Sequence, residues 1–110
     1  MATAYKILGQ ANPSATTLST LYTSTSVETI VSTITVANLA ASAATFRIVV
    51  QSAADAGGAV NKQYLAYEVT VGATDTTTLT LGITLASGDV IKVYASTANL
   101  AFNAFGSQIS

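Results

Sequence analysis

Apolar and polar side chains alternate with a period of two along most of this chain. In Thr76–Leu85, Leu79, Leu81, Ile83 and Leu85 share one parity while Thr78, Thr80 and Thr84 take the other. In Ile30–Asn38, Ile30, Ile34 and Val36 oppose Thr33 and Thr35, and in Thr45–Gln51, Phe46, Ile48 and Val50 oppose Arg47 and Gln51. In Tyr64–Val71, Leu65, Tyr67, Val69 and Val71 oppose Glu68 and Thr70. A strand sends successive side chains to opposite faces, whereas a 3.6-residue period would scatter these apolar positions around a helix. Each segment therefore predicts a strand with one wet face.

Weaker strands are expected at Ala4–Gln10, Leu18–Ser24, Val90–Ala95 and Ala101–Ile109, for about eight in all. The turn formers fall between them, at Asn12-Pro13, Asn38 to Ala43, Asp55 to Gly58, Gly72 to Asp75, Ser87-Gly88-Asp89 and Ala98-Asn99. The Ala- and Gly-rich stretch Ser52 to Lys62 is the one long connection, read as a loop crossing between sheets ahead of its alternative, a surface that becomes ordered on assembly. Many short strands at regular spacing predict an all-β fold: one antiparallel β-sandwich domain over residues 1–110, with immunoglobulin-like or jelly-roll-like connectivity left open. The expected core is Ile30, Ile34, Val36, Phe46, Ile48, Val50, Leu65, Tyr67, Val69, Leu79, Leu81, Ile83, Ile91, Val93 and Phe102.

Composition then bears on function. Charged residues make up 8% of the 110, about a third of the usual share of roughly 25%. Such a surface costs little to desolvate, which suits a subunit packed against neighbours. A net charge of −1 lacks the clustered Lys and Arg of a nucleic-acid binder. No apolar run approaches the roughly 20 residues of a membrane helix, and MATAYKILGQANPS does not read as a secretory signal. Cys and His are both absent from the chain, which removes disulfides, thiolate sites and the commonest general base.

The remaining ionisable residues stand singly along the sequence, so neither an enzyme nor a cofactor or metal site is expected. Asp55 opens a Gly-rich turn, but one carboxylate is too few for Ca²⁺. Asp75 and Asp89 read as turn residues at strand starts. The threonines alternate with leucines on one strong strand, as on an ordinary solvated face, and Asp75 to Thr80 has the look of an edge that lacks Pro and is uncharged after Asp75. The candidate contact residues are the N-terminal Ala2 and Thr3, the aromatics Tyr5, Tyr22, Tyr64 and Phe105, and Ile109. Phe105 differs in parity from the core candidate Phe102, which turns it outward.

The segments MATAYKILGQANPSATTLSTLYT, STITVANLAASAATFRIVV and LTLGITLASGDVIKVYASTANLAFNAFGSQIS resemble a family of small virion structural proteins of tailed bacteriophages, especially those of marine and cyanobacterial hosts. The resemblance spans nearly the whole chain and consists of β-strand phrases rather than ligand motifs, so it carries no site residues across. Where family members often have a Pro-containing segment between the second and third strands, Thr23–Glu28 stands here. The resemblance implies a virion protein made in the host cytoplasm, with capsid decoration (cement) as the first role. A tail, fibre or baseplate component that recognises the host is the alternative. The implied partners are the major capsid protein or other virion proteins, and further copies of the chain.

Overall fold

Val, Ile, Leu and Thr suit a pleated, half-buried surface, and in the computed structural model, which describes residues 3–55 and 57–109, they form a sandwich of two antiparallel sheets. The strands are β1 (Thr3–Ala11), β2 (Ser19–Thr23), β3 (Glu28–Asn38), β4 (Ala44–Gln51), β5 (Tyr64–Val71), β6 (Thr76–Leu79), β7 (Ile83–Leu85), β8 (Val90–Ala95) and β9 (Leu100–Ile109). One sheet has the order β1-β9-β3-β6, with β7 also on β3, and the other has the order β2-β8-β4-β5. The chain stays within a sheet between β4 and β5 and between β6 and β7, and otherwise passes to the opposite layer.

Phe46 on β4 and Phe102 on β9 meet across the layers, ring centroids 6.1 Å apart and planes at 78°. Around them Ile34, Val36, Leu100 and Ala104 of one sheet face Ile48, Ile91, Val93 and Ala95 of the other, all buried. Of the expected core, Ile34, Val36, Phe46, Ile48, Ile91, Val93 and Phe102 are buried, and Val50, Val69, Leu79 and Ile83 pack against its rim.

Four expected core residues point outward instead, each beside a break in strand register. On β3, Val31 pairs with Gly106 and Thr33 with Phe105, so one inserted residue exchanges the faces and buries Val31 in place of Ile30. On β5, Val69 pairs with Phe46 and Ala66 with Ile48, leaving Tyr67 and Glu68 opposite Arg47 alone. Glu68 takes φ +51 there, and Leu65 and Tyr67 turn to solvent. The single strand expected over Thr76–Leu85 is two, because pairing with β3 stops at Leu79 opposite Ile34 and resumes at Ile83 opposite Val31. Between them Gly82 adopts φ +63 and Leu81 is 44% exposed.

The long connection does not cross between sheets: it joins the neighbouring strands β4 and β5. Two buried glutamines anchor it. Gln51 Nε2 donates to the Gly57 carbonyl at 3.0 Å and to Gln63 Oε1 at 3.1 Å, Gln63 Nε2 donates to the Asp55 carbonyl at 3.1 Å, and the Val60 N–H donates to Gln63 Oε1 at 3.1 Å. The β3–β4 turn is held by buried Asn38, whose Nδ2 donates to the Ser42 carbonyl at 2.8 Å while its Oδ1 accepts the Ala40 N–H at 3.0 Å.

Two truncations separate core from break. Ile48→Ala is expected to destabilise the domain by about 2–5 kcal/mol through transfer loss and the residual cavity. Leu81→Ala should fall within about 0.5 kcal/mol, as for an exposed substitution away from special features. Urea unfolding of both variants checks the pair, and equal costs would contradict the break at Gly82.

Candidate functional site

β9 lies between β1 and β3, and residues directly opposite one another on antiparallel strands share a face. Along β1 the pairs are Thr3 with Ile109, Tyr5 with Ser107, and Ile7 with Phe105; along β3 they are Glu28 with Ile109, Ile30 with Ser107, and Thr33 with Phe105. Tyr5, Ile7, Ile30, Phe105 and Ile109 therefore crowd the outer face of this sheet. Tyr5 is 84% exposed, Ile7 55%, Ile30 39% and Phe105 36%. A shallow depression beside them is lined by Tyr5, Ile30, Ser32 and Phe105.

Two bulges at one level shape this face. β3 inserts a residue between Val31 and Thr33, β1 inserts Leu8 between Ile7 and Gly9, and β9 runs unbroken between them. Ser32 Oγ donates to the Phe105 carbonyl at 3.2 Å, closing the β3 bulge. At Gly106 the strands approach so closely that a Cβ would collide with the Ile30 carbonyl.

The outer face of the other sheet carries a self-contained cluster. The Arg47 guanidinium lies between two rings, 4.5 Å from the Tyr67 centroid and 4.2 Å from that of Tyr94. It donates to both Glu68 oxygens, Nε to Oε2 at 3.1 Å and Nη2 to Oε1 at 3.2 Å. Tyr64 meets Tyr67 edge-on at 5.0 Å. The side-chain hydrogen bond from Arg47, helped by its charge and by Thr45, holds the Glu68 carboxyl below its ordinary pKa against the opposing effect of desolvation. The hydrogen bond to Glu68 is likewise the main cause raising Arg47.

Thr3, Tyr5, Phe105 and Ile109, drawn from opposite ends of the sequence, come together on the first face. Ala2 lies outside the described residues. Tyr64 is half-buried on the other sheet. Tyr22 is not a contact residue: it points between the layers, where its hydroxyl lies 2.8 Å from Thr29 Oγ1 and accepts from Gln108 Nε2 at 2.7 Å. Ser24 Oγ joins the same network, 2.8 Å from Thr29 Oγ1. A tyrosine buried this way satisfies its hydroxyl within the protein.

Ile7 and Ile30 complete the first face and are not among the contact residues the sequence points to. Ile7 shares the parity of Thr3 and Tyr5, a signal present in the sequence, whereas Ile30 is turned outward by the β3 bulge, whose trace in the sequence is apolar Val31 and polar Ser32 breaking the alternation. Asp55 is ion-paired with Lys62 at 2.9 Å. Asp89 serves the backbone, its Oδ1 accepting the Ala53 N–H at 3.1 Å and its Oδ2 the Ala86 N–H at 2.9 Å. Among the described residues no group of three His, Cys, Asp or Glu is arranged to hold a metal ion.

Gly106→Ala is expected to cost about 1–3 kcal/mol, the usual range for overpacking, measured by denaturant unfolding; a neutral result would contradict the close approach to Ile30. The Glu68–Arg47 pair carries a pH signature. A carboxyl depressed in the folded state adds stability that is present above its unfolded pKa and is lost as pH falls through the folded value. Glu68→Gln should therefore unfold earlier than the native chain at pH about 7, and the gap should close as pH falls through the folded value of Glu68, below which both carry a neutral side chain. Both partners are solvent-accessible, so the gap is small. A gap that widened in acid would contradict the pairing.

Comparison of the chain with family models, with characterised proteins and with solved structures finds no match in any of the three.

Proposed function

We propose that this chain is a structural subunit of a tailed-bacteriophage virion, a capsid decoration (cement) protein that binds capsomers through the outer face of the β1-β9-β3 sheet. The observation that carries the reading is the uncovered apolar group Tyr5, Ile7, Ile30 and Phe105 on a domain whose residues are only 8% charged. Contiguous exposed apolar surface marks an interaction site more often than scattered single residues do. Five of the nine charged side chains are occupied in ion pairs and turns: Arg47 with Glu68, Lys62 with Asp55, and Asp89 with backbone N–H groups. The resemblance of the strand segments to virion structural proteins supplies the setting.

A second reading, a tail, fibre or baseplate-associated module for host recognition, draws on Tyr64 and Tyr67 of the opposite sheet. Tyr67 is 58% exposed and lies beside Asn61 in a shallow cleft. Copy number separates the two, since a cement protein covers the shell and a tail component is present in few copies.

Binding that rests on apolar burial is insensitive to screening. Attachment to particles should change little between about 0.05 and 0.5 M salt, where the Debye length shortens from roughly 14 to 4 Å. Phe105→Asp should release the protein far more than Lys92→Ala, whose ammonium donates to the Gly57 carbonyl in the native chain. Co-sedimentation with particles across a salt series measures both. Release by moderate salt, or a larger effect of Lys92→Ala, would remove the physical basis of the reading.

A further inference from the structure

The outermost strands of the two sheets, β1, β6 with β7, β2 and β5, are not alike. β2 has five residues and shifts register between Thr20 and Tyr22. β5 bulges at Tyr67 and Glu68, and β6 and β7 are short pieces separated by Gly82. Interruptions of this kind discourage a further strand from adding to a sheet. β1 differs: Thr3–Ile7 pairs residue for residue with β9, from Ile109 back to Phe105, before the bulge at Leu8. All five of these residues are exposed, they include neither Pro nor Gly, and Lys6 is their single charge. No strand is hydrogen-bonded to the side of β1 away from β9 among the described residues, and β2 comes close to β1 at Gly9, past the Leu8 bulge.

We propose that this edge pairs with the same edge of a second copy, Thr3–Ile7 antiparallel to Thr3–Ile7, about a two-fold axis through Tyr5. A two-fold contact needs only self-complementarity, which an antiparallel strand edge provides. The register follows from parity and charge. Faces match only when paired residues have the same parity, so the axis passes through a residue and not between two. An axis through Lys6 would set the two ammonium groups directly opposite, which is destabilising. An axis through Ile7 would carry the ladder into the Leu8 bulge, and one through Ala4 would leave Lys6 and Ile7 beyond the paired described residues. With the axis at Tyr5 the whole regular segment is used. Lys6 then lies opposite Ala4 of the second copy and Ile7 opposite Thr3 of the second copy. Tyr5 meets its own counterpart on the outer face, so the two apolar faces become one continuous surface.

A ladder of five residues is about 17 Å long, small against the roughly 1,200–2,000 Å² of a stable interface. The association is therefore weak in free solution and is favoured where copies are crowded. The inference goes beyond the assembly reading and is tested apart from it, on the isolated chain. Failure to dimerise leaves particle binding untouched, and failure to bind particles leaves the edge pairing untouched.

The experiment is sedimentation equilibrium of the purified chain up to about 1 mM, the weak end of the affinity scale. The mass should rise with concentration from 11.1 kDa toward twice that value. Ala4→Glu places a carboxylate opposite Lys6 of the second copy, twice by symmetry, and should tighten the dimer by about 2- to 30-fold; Ala4→Lys should weaken it by a similar factor. Both changes fall at an exposed position and spare the fold, which circular dichroism verifies. Under oxidising conditions Tyr5→Cys should cross-link to itself. Ala4→Cys and Lys6→Cys should each stay uncross-linked alone and join when mixed. A chain that stays monomeric to about 1 mM, a dimer indifferent to the charge placed at position 4, or a cross-linking pattern other than this one would overturn the proposal.

Discussion

Phe46 and Phe102 meet edge to face between the two sheets, and the rest of the molecule is arranged so that this contact stays dry. The rings belong to strands near the middle of their layers, β4 and β9, and both are wholly buried. Apolar area of this kind is the largest favourable contribution to folding. With no disulfide available, packing has to hold the layers together. The aliphatic residues around the rings are short and branched, which lets two pleated surfaces interdigitate at the roughly 10 Å spacing of packed sheets.

Such a core constrains parity. A side chain points inward or outward according to its place in the pleat, and one inserted residue exchanges the two. β1, β3 and β5 each carry an insertion, and each lies beside a surface feature: Ile7 and Ile30 on one sheet, and Tyr67 with Leu65 on the other. On β5 the insertion also brings Glu68 to Arg47, so that the charge pair and the rings around it are products of the same irregularity. The bulges preserve the buried residues on either side while releasing apolar side chains to the exterior.

Uncharged polar groups hold the ends of the sandwich. Asn38, Gln51, Gln63 and the Tyr22–Thr29–Ser24 group are buried and hydrogen-bonded. Amides and hydroxyls cost less to bury than ions do when each finds a partner. This is consistent with a chain that spends few charges and keeps them at turns and on exposed faces. The two glutamines tie a loop rich in Ala and Gly, residues that offer few side-chain contacts of their own.

The sequence by itself determined the layered β architecture and the centre of the buried face, Ile34, Val36, Phe46, Ile48, Ile91, Val93 and Phe102. Alternation is a local property, and a two-residue period admits only strands. The same reasoning turned Phe105 away from Phe102 and marked Thr3, Tyr5 and Ile109, and parity alone could have added Ile7. It could not bring these residues together, because the β1–β9 register joins opposite ends of the chain. Nor could it foresee that Ile30, Leu65, Tyr67 and Leu81 leave the core, or that Tyr22 enters it. A bulge is chosen by the fit of one strand to its neighbours and by the packing of the opposite layer. A segment can keep a perfect alternation on paper and still slip by one residue when the pairing on both sides favours it. Tertiary contacts thus decided which apolar residues face the solvent, and with them the surface through which the protein is proposed to act.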